Sequence, residues 1–494
     1  MEELKETSLK SRFQKLAMRK QSLMNIAETC SALTLQYIFP PNNNDNQPLY
    51  QSWQSVGARG VNNLSSKLLL ALLPTTGGFF TYKLDEALKA SLPRDVVNSA
   101  EDYLTLLEKM TMQELNQLSV RYTLSEALKH LIITGNVALW FKDDKLKLYN
   151  LRDYVVVRDK AMNLTEVILR ETVDKDTLPK ALRDFIAQQN IASAADIQSA
   201  ASGLSSDMYD IFTAAKLTDG KWEMWQEIGE LEVPNTRKWV KLLPILVLRW
   251  TNNEYGHGLV EQVLGDLLNL ESLSKAVTNS ALAAAKTIFL VRPSAETNIN
   301  LIKNAKNGDI IIGNKDDVGT MGVSSYADLK TAQEQIMQLE NRINQMFLVF
   351  NPRSAERVTA EEIRRLTEEL EALLGGVYTL LAEELQKPLL QLIREKIQKT
   401  LPQPPDEDVK LVLTSGFEAL ARTTELNKLL TFLSAVGNIQ PALQYINWYE
   451  YLTQIVSSLS LNAQGLIKTQ EELMAEQQQM LQMQAAQNII GGGV

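Results

Sequence analysis

Apolar residues recur through most of the chain with the 3.6-residue period of an amphipathic α-helix. Leu64, Leu68, Ala71 and Leu72 form one such stripe, and Pro74 would end the helix that carries it. The same period predicts helices over residues 1–73, 97–135, 258–286, 328–349 and 358–400.

The period changes in residues 137–251, where short runs of apolar and β-branched residues alternate with turn signals. "VALWFKDDKLKLYNL" predicts two strands around Asp143–Asp144, and "DYVVVRDKAMNLTEVILRETV" a second hairpin. A third hairpin turns at Asp219-Gly220, and "LLPILVLRWT" has the composition of a buried strand. With a helical insert near 178–200, the pattern predicts an α+β fold that is mainly helical.

Two further short strands, "TIFLVRP" and "GDIIIG", lie between the helices 258–286 and 328–349, which predicts an out-and-back helix pair around a small β segment. Residues 409–470 are predicted to form short helices. The Gln- and Met-rich residues 471–494 have low complexity, typical of a frayed helix followed by disorder.

Helix boundaries and kinks have local signals of their own. Thr123 with Glu126, and Thr359 with Glu362, have the spacing of capping boxes. Gly135 is placed to end the helix before it. The long helix 358–400 is predicted to kink at Gly375-Gly376 and again at Pro388.

Composition narrows the possible functions. The 494 residues carry 50 Lys and Arg against 59 Asp and Glu, a net charge of -9, which argues against tight binding to nucleic acid over a broad surface. Cys30 is the only cysteine and His130 and His257 the only histidines, so we expect no disulfide, metal site or cofactor. No run of eighteen apolar residues or signal-peptide core exists, so we expect no membrane span.

The stretch "WQSVGARGVNNLSSKLLLALLP" resembles a phosphate-binding loop at first sight. Its glycines, Gly57 and Gly60, are not followed by GK[ST], and Lys67 lies seven residues beyond Gly60. The pattern favours a helix whose glycines allow close packing. Close packing alone does not explain four neighbouring residues, Trp53, Arg59, Asn62 and Asn63, for which we expect a structural role. We predict that Arg59 is fixed by a carboxylate or by carbonyl groups, inside the chain or at a neighbouring copy.

Catalytic motifs are absent from the sequence. It contains no GxxxxGK[ST], GxGxxG, HExxH, GxSxG or CxxC pattern. This favours a structural or assembly protein over an enzyme.

Six blocks of sequence, taken together, resemble the head-to-tail connector, or portal, family of short-tailed podoviruses of the Autographiviridae type. Besides the Gly-Ala-Arg-Gly block, they are "YTLSEALKHLIITGNVALW", "LRDYVVVRD", "YGHGLVEQVLGDLLNLESLSKA", "GDIIIG" and "ERVTAEEIRRLTEELEALLGGVYTLLAEELQKPL". They follow the family's order from about residue 10 to about residue 425.

The resemblance implies a portal fold with wing, stem, clip and crown regions, assembled as a ring of twelve at one capsid vertex. The implied regions are the wing at 1–257 and 358–400, the stem at 258–286 and 328–349, the clip at 287–327, the channel loop at 350–357, the crown at 401–470 and the tail at 471–494. The clip would carry the basic residues Lys303, Lys306 and Lys315.

The implied partners are those of a virion protein at the head–tail junction that assembles in the host cytoplasm. They are double-stranded DNA bound without sequence specificity, the terminase large subunit, tail adaptor and tail tube proteins, capsid and scaffold proteins, and internal core proteins. Ring geometry is compatible with the DNA: twelve helices at about 10 Å spacing form a circle roughly 38 Å across. Subtracting about 10 Å of helix thickness leaves a bore of roughly 28 Å, enough for a duplex.

The segment "NPRSAER" is the candidate channel loop, because Asn351-Pro352 breaks the helix before it. Its polar residues are Asn351, Arg353, Ser354 and Arg357, and the two arginines are candidates for charges facing the channel. Alternatively, they cap helix ends or form ion pairs between subunits.

Two other functions remain open at this stage. A packaging ATPase is opposed by the missing GxxxxGK[ST] motif. A ring-forming tail adaptor without a packaging role is the second alternative; such adaptors are usually shorter and lack the stem–clip–stem order.

Overall fold

The computed structural model describes most of the chain in sixteen stretches. These are residues 8–41, 49–73, 79–84, 93–118, 120–189, 191, 208–284, 288–291, 304, 318–321, 326–349, 374–398, 409–413, 429–437, 446–458 and 467.

The N-terminal part of the chain is helical, as the apolar period predicts. Its helices are α1 (Leu9–Arg19), α2 (Gln21–Ala32), α3 (Val56–Leu72), α4 (Arg94–Gln117) and α5 (Val120–Thr134). The predicted stripe of α3 is buried, with Leu64, Leu68 and Leu72 each at most 1% exposed in the main core. Gly135 follows α5 with φ +76°, which confirms it as the end of that helix.

The capping box predicted at Thr123 is wrong. Helix α5 already begins at Val120, so Thr123 lies inside it, and Glu126 forms an ion pair with Lys129 at 2.7 Å. Val120 and Leu124 are each 1% exposed, and this burial extends the helix upstream of the local capping signal. Thr359 and Glu362 lie outside the described residues.

The β-rich body consists of two antiparallel sheets. Strand β10 (Ile245–Arg249) pairs with β2 (Asn136–Lys142), which pairs with β3 (Lys145–Tyr149). The larger sheet contains β4 (Tyr154–Arg158), β5 (Leu164–Asp174), β6 (Met208–Thr218), β7 (Lys221–Ile228), β8 (Leu231–Glu232) and β9 (Lys238–Val240). Their order in the sheet is β4-β5-β6-β7-β8, with β9 also paired to β7.

All three predicted hairpins and the buried strand are confirmed. Asp143 and Asp144 have φ of 48° and 59°, and Asp219 and Gly220 have 50° and 77°, which are the left-handed values of two-residue hairpin turns. All five residues of β10 are buried. The predicted helical insert includes helix α6 (Lys180–Gln189).

The out-and-back helix pair is also present. Its outgoing arm is α7 (Leu259–Gln262) and α8 (Leu264–Ala284), and its return arm is α9 (Tyr326–Met346). Beyond them, β11 (Ile288–Val291) pairs antiparallel with β12 (Val318–Met321). "TIFLVRP" therefore contains a strand as predicted, whereas "GDIIIG" lies outside the described residues.

A C-terminal helix, α10, is irregular near Pro388, where the second kink is predicted. It comprises α-helical residues 374–381, a π-helical turn Ala382–Gln386 and the α-helix Lys387–Gln398. Pro388 has no N–H to donate to the carbonyl four residues back, and the Lys387 N–H donates to Ala382 O, five back. Gln386 in this turn donates to Leu72 O at 2.7 Å, which ties α10 to the end of α3.

One strand pair contradicts the sequence-based prediction of only helices from residue 409 onward. Strand β1 (Phe80–Leu84) pairs antiparallel with β13 (Val409–Leu413), so residues more than three hundred positions apart share a ladder. Helix α11 (Trp448–Ser458) follows later, as predicted. Among the described helices none is long and apolar enough to cross a membrane.

Candidate functional site at the end of helix α9

Helix α9 ends in a Schellman motif at the point where the chain enters the predicted channel loop. The Leu348 N–H donates to Gln345 O at 3.1 Å, and the Val349 N–H donates to Asn344 O at 2.8 Å. Leu348 occupies the left-handed position of the motif with φ 55°, which usually belongs to glycine. The helix therefore ends at Met346, a few residues before the predicted break at Asn351-Pro352.

Side chains from α3 hold this end of α9 in place. The Asn63 Nδ2 donates to Phe347 O and to Leu348 O, both at 3.2 Å. The Lys67 Nζ donates to Leu348 O at 2.6 Å. Phe347 is 0% and Leu348 2% exposed, so burial and the two donors together offset the unfavourable backbone of Leu348.

The two glycines of the Gly-Ala-Arg-Gly block, Gly57 and Gly60, allow close packing. A Cβ atom on Gly60 would lie 2.6 Å from Cγ and Cδ2 of Phe347, and one on Gly57 would lie 2.6 Å from Leu33 O. Gly57 and Gly60 lie within α3 and are buried. This confirms the prediction that the block is a closely packed helix and not a phosphate loop.

Arg59 is held by an amide oxygen, not by a carboxylate, among the described residues. Its side chain is exposed, and its Nη2 donates to Asn344 Oδ1 at 3.3 Å. Within the described part of the chain the predicted carboxylate partner is therefore not found, whereas the carbonyl alternative agrees with the bond to Asn344. The reason is the register of α3: Gly57, Gly60 and Leu64 face the core, and Arg59 lies on the other side.

Trp53 is positioned by a buried carboxylate on α8. Glu271 is 7% exposed and accepts hydrogen bonds from Tyr50 Oη at 2.7 Å, Ser52 Oγ at 2.5 Å and the Trp53 N–H at 2.9 Å. Burial, the largest influence, acts to raise the pKa of Glu271, but the bonds from Ser52, Trp53 and Tyr50 outweigh it and lower the pKa. The Trp53 side chain itself remains 44% exposed.

The other sequence-predicted residues divide into two groups. Asn62 is exposed beside the half-buried Asn63, and the predicted kink glycines Gly375 and Gly376 lie in the α-helical residues 374–381. The second group lies outside the described residues and comprises Asn351, Arg353, Ser354, Arg357, Lys303, Lys306 and Lys315.

The antiparallel arms of the helix pair are joined near the same end. Arg342 of α9 forms an ion pair with Asp266 of α8. The two helices expose four large apolar side chains, namely Leu268 (44%), Leu282 (59%), Met337 (56%) and Met346 (38%).

A second buried polar cluster fixes α10 to the β-rich body. Glu384, in the π-helical turn, accepts from Arg249 Nε at 2.7 Å and lies 3.5 Å from Arg158 Nη1. Both arginines also donate to Met162 O, at 3.1 and 3.3 Å. Burial raises the pKa of Glu384 and lowers that of Arg158, and the opposite charges counteract both shifts. The cluster joins α10 to the β-rich body.

Sequence reasoning missed three residues of these clusters. Glu271 had a signal, because it is an acidic residue on the apolar stripe of α8, seven positions after Leu264. Glu384 and Leu348 had none, because an ion pair across 135 positions and a left-handed leucine depend on the folded surroundings. Among the described residues, no three His, Cys, Asp or Glu side chains are grouped to hold a metal ion.

Helices α8 and α9 form an out-and-back pair with a small strand pair at one end and the anchored C-terminus of α9 at the other. This is the arrangement expected of a connector subunit. The profile of a family described as bacteriophage head to tail connecting protein matches residues 6–467. The chain therefore belongs to this family, which confirms the resemblance inferred from the sequence blocks.

The portal proteins of three phages are similar in sequence to this chain over nearly its whole length. The portal protein of Escherichia phage T7 is 31% identical over 500 residues, covering 97% of this chain and 91% of that protein. The portal protein of Enterobacteria phage T3 is 30% identical, covering 99% and 94%. The portal protein of Enterobacteria phage SP6 is 29% identical, covering 96% and 92%.

Proposed function

We propose that this chain is the subunit of a viral portal, a ring at one capsid vertex through which double-stranded DNA enters the head during packaging and leaves during ejection. The observation that carries the proposal is the antiparallel pair of α8 and α9, held by the Arg342–Asp266 ion pair and ended by the anchored Leu348. Family membership and the full-length similarity to portal proteins support it.

We infer ring formation from the exposed apolar side chains of this pair. Leu268, Leu282, Met337 and Met346 are each at least 38% exposed on two neighbouring helices. Burying apolar area contributes about 25 cal/mol per Å², so neighbouring copies gain stability by covering it. We infer that these side chains contact adjacent subunits, in a ring of twelve as the family resemblance implies.

The regional assignment is likewise our proposal. Residues 1–257 and 358–400 would form the wing, the helices 258–286 and 328–349 the stem, 287–327 the clip, 350–357 the channel loop and 401–470 the crown. The pairing of β1 with β13 supports one adjustment, in which Val409–Leu413 belongs with the wing strand Phe80–Leu84 instead of the crown.

The proposed partners follow from the same role. A portal in this position would meet the packaging terminase, then tail adaptor and tail tube proteins, with capsid, scaffold and internal core proteins around it. Contact with DNA would be weak and independent of sequence, as suits a chain of net charge -9 with a few basic groups at the channel.

The first experiment is imaging of the purified protein down its axis by negative-stain electron microscopy, combined with sedimentation at micromolar concentration. Closed rings are the expected result, and a folded monomer would contradict the proposal. An in vitro packaging assay then separates the alternatives. Rings that attach to filled heads but never support filling would identify a tail adaptor.

The channel loop is tested in the same assay with Arg353→Ala/Arg357→Ala rings. Each phosphate contact contributes a salt-dependent attraction, so removal of these cations should leave the ring intact but lower packaging yield or genome retention. Unchanged yield and retention across salt concentrations would instead support the capping or ion-pair interpretation of the two arginines.

A further inference from the structure

We propose that Arg59 is a phosphate-binding residue of the DNA channel, placed on the rigid helix α3 beside the channel loop. The inference rests on the proposed portal function. It concerns a residue for which the described residues supply no carboxylate partner.

The helix that carries Arg59 is basic and contains no acidic residue. Helix α3 (Val56–Leu72) contains Arg59 and Lys67 and no Asp or Glu, in a chain whose net charge is -9. Its exposed stripe consists of Arg59, Asn62, Ser66 and Leu70.

The position of Arg59 is set by the end of α9. Its Nη2 lies 3.3 Å from Asn344 Oδ1, and Asn344 O accepts the Val349 N–H of the Schellman motif. The charge is therefore held beside the backbone from which the predicted channel loop 350–357 starts. In a ring, any group fixed to the start of an axial loop is repeated around the axis with every subunit.

The guanidinium keeps most of its binding capacity. Arginine has five N–H donors in a planar fork, and the bond to Asn344 is to a neutral amide that leaves the charge uncompensated. Within the described residues no carboxylate contacts it. An arginine with this geometry binds a phosphate bidentately, and the rigid helix lowers the entropic cost of binding.

Two substitutions of Arg59 and one control test the proposal. Purified rings of wild type, Arg59→Gln, Arg59→Lys and Asn62→Ala are titrated with a fluorescein-labelled linear 30-base-pair duplex at several salt concentrations, with anisotropy as the readout. Negative-stain images of each sample report ring integrity. Asn62 is the matched control, because it lies on the same exposed stripe one turn away.

Arg59→Gln should preserve the ring and reduce the slope of log affinity against log salt by about 0.9 for each phosphate that is no longer neutralised. Arg59→Lys should retain most of the slope because it retains the charge, and Asn62→Ala should match wild type.

An unchanged slope in Arg59→Gln would overturn the proposal. Loss of the ring in Arg59→Gln with recovery in Arg59→Lys would also overturn it, and would assign Arg59 to a carboxylate of the neighbouring subunit. If wild-type rings form but bind no duplex, the proposed channel function is wrong. If wild-type rings bind duplex with a normal slope and Arg59→Gln has the same slope, only the proposal for Arg59 is wrong.

Discussion

A Cβ atom at Gly60 would lie 2.6 Å from both Cγ and Cδ2 of Phe347. The backbone of α3 therefore rests directly on the aromatic ring that follows the last turn of α9. Phe347 is 0% exposed, and the clashing atoms are close to its own backbone, so the ring cannot move away without moving the end of the helix.

Gly60→Ala should therefore destabilise the protein although alanine favours helices. Overpacking of this kind costs about 1–3 kcal/mol, more than the gain in helix propensity of about 1 kcal/mol. The measurement is the free energy of unfolding in urea at fixed protein concentration. Gly265→Ala is the matched control, since Gly265 is also helical and nothing lies within 4 Å of its added Cβ. Equal stability of the two variants would show that α3 and Phe347 are not in tight contact.

Asn63 and Asn62 provide a second matched pair. Asn63 donates to the Phe347 and Leu348 carbonyls at 3.2 Å, whereas Asn62 is exposed. Asn63→Ala removes a donor from buried acceptors and should cost about 1–3 kcal/mol, and Asn62→Ala should change stability by less than about 0.5 kcal/mol. Hydrogen exchange of the Leu348 and Val349 amides should increase in Asn63→Ala alone. Similar exchange in both variants would contradict the anchoring role.

The hairpins were predictable because their signals are local. Asp219-Gly220 accepts the two positive φ values of a tight turn, and the flanking residues alternate on either side. The same holds for the amphipathic stripe of Leu64 and Leu68 in α3, whose period alone identifies the buried face.

The missed features depend on partners distant in sequence. Five-residue runs such as Phe80–Leu84 and Val409–Leu413 are too short to distinguish strand from helix, and only their pairing defines them. Thr123 carries a correct capping pattern, yet burial of Val120 continues the helix past it. Leu348 adopts a glycine-like conformation with no glycine in the sequence to indicate it.

In the candidate site, the sequence identifies the Gly-Ala-Arg-Gly block but not what each of its side chains contacts. Gly57, Gly60 and Asn63 face the core or α9, as a structural signature requires. The lone charge between two glycines suggests a carboxylate or carbonyl partner for Arg59, and among the described residues only an amide oxygen, that of Asn344, takes this role. The exposure of Arg59 is a consequence of helical register, which the sequence does show when the stripe is extended backwards from Leu64.

Glu384 and its neighbour Glu383 test the joint between α10 and the β-rich body. Glu384 lies between Arg249 and Arg158, whose side chains are 6% and 5% exposed. Glu384→Gln leaves two buried guanidinium groups without a counter-charge, which should cost about 3–5 kcal/mol. Glu383→Gln removes only an ion pair with Lys387 in which both side chains are more than a third exposed, so little change is expected. The measurement is the melting temperature of the two variants in thermal unfolding. Equal melting temperatures would show that Glu384 does not neutralise the two buried arginines.

His130 should make the protein sensitive to acid. It is 8% exposed, and burial lowers its pKa to about 4, against an ordinary value of about 6.5 in the unfolded chain. Between these two values the unfolded chain binds a proton that the folded protein does not bind, so stability falls as pH drops from about 6.5 towards 4. Each pH unit corresponds to about 1.4 kcal/mol, which gives a decrease of roughly 3 kcal/mol across the window.

The two histidines of the chain allow this decrease to be isolated from the titration of carboxylates. His130→Gln cannot titrate, so its unfolding free energy should fall less than that of wild type between pH 7 and pH 4, by roughly 3 kcal/mol. Any fixed cost of the substitution cancels, because only the change with pH is compared. His257→Gln is the control, since the His257 side chain is 49% exposed beside Glu261, and it should follow wild type more closely. If His130→Gln and wild type lose stability in parallel, then His130 takes up its proton as readily in the folded protein as in the unfolded chain, which requires an acceptor for its Nδ1 that the described residues do not supply.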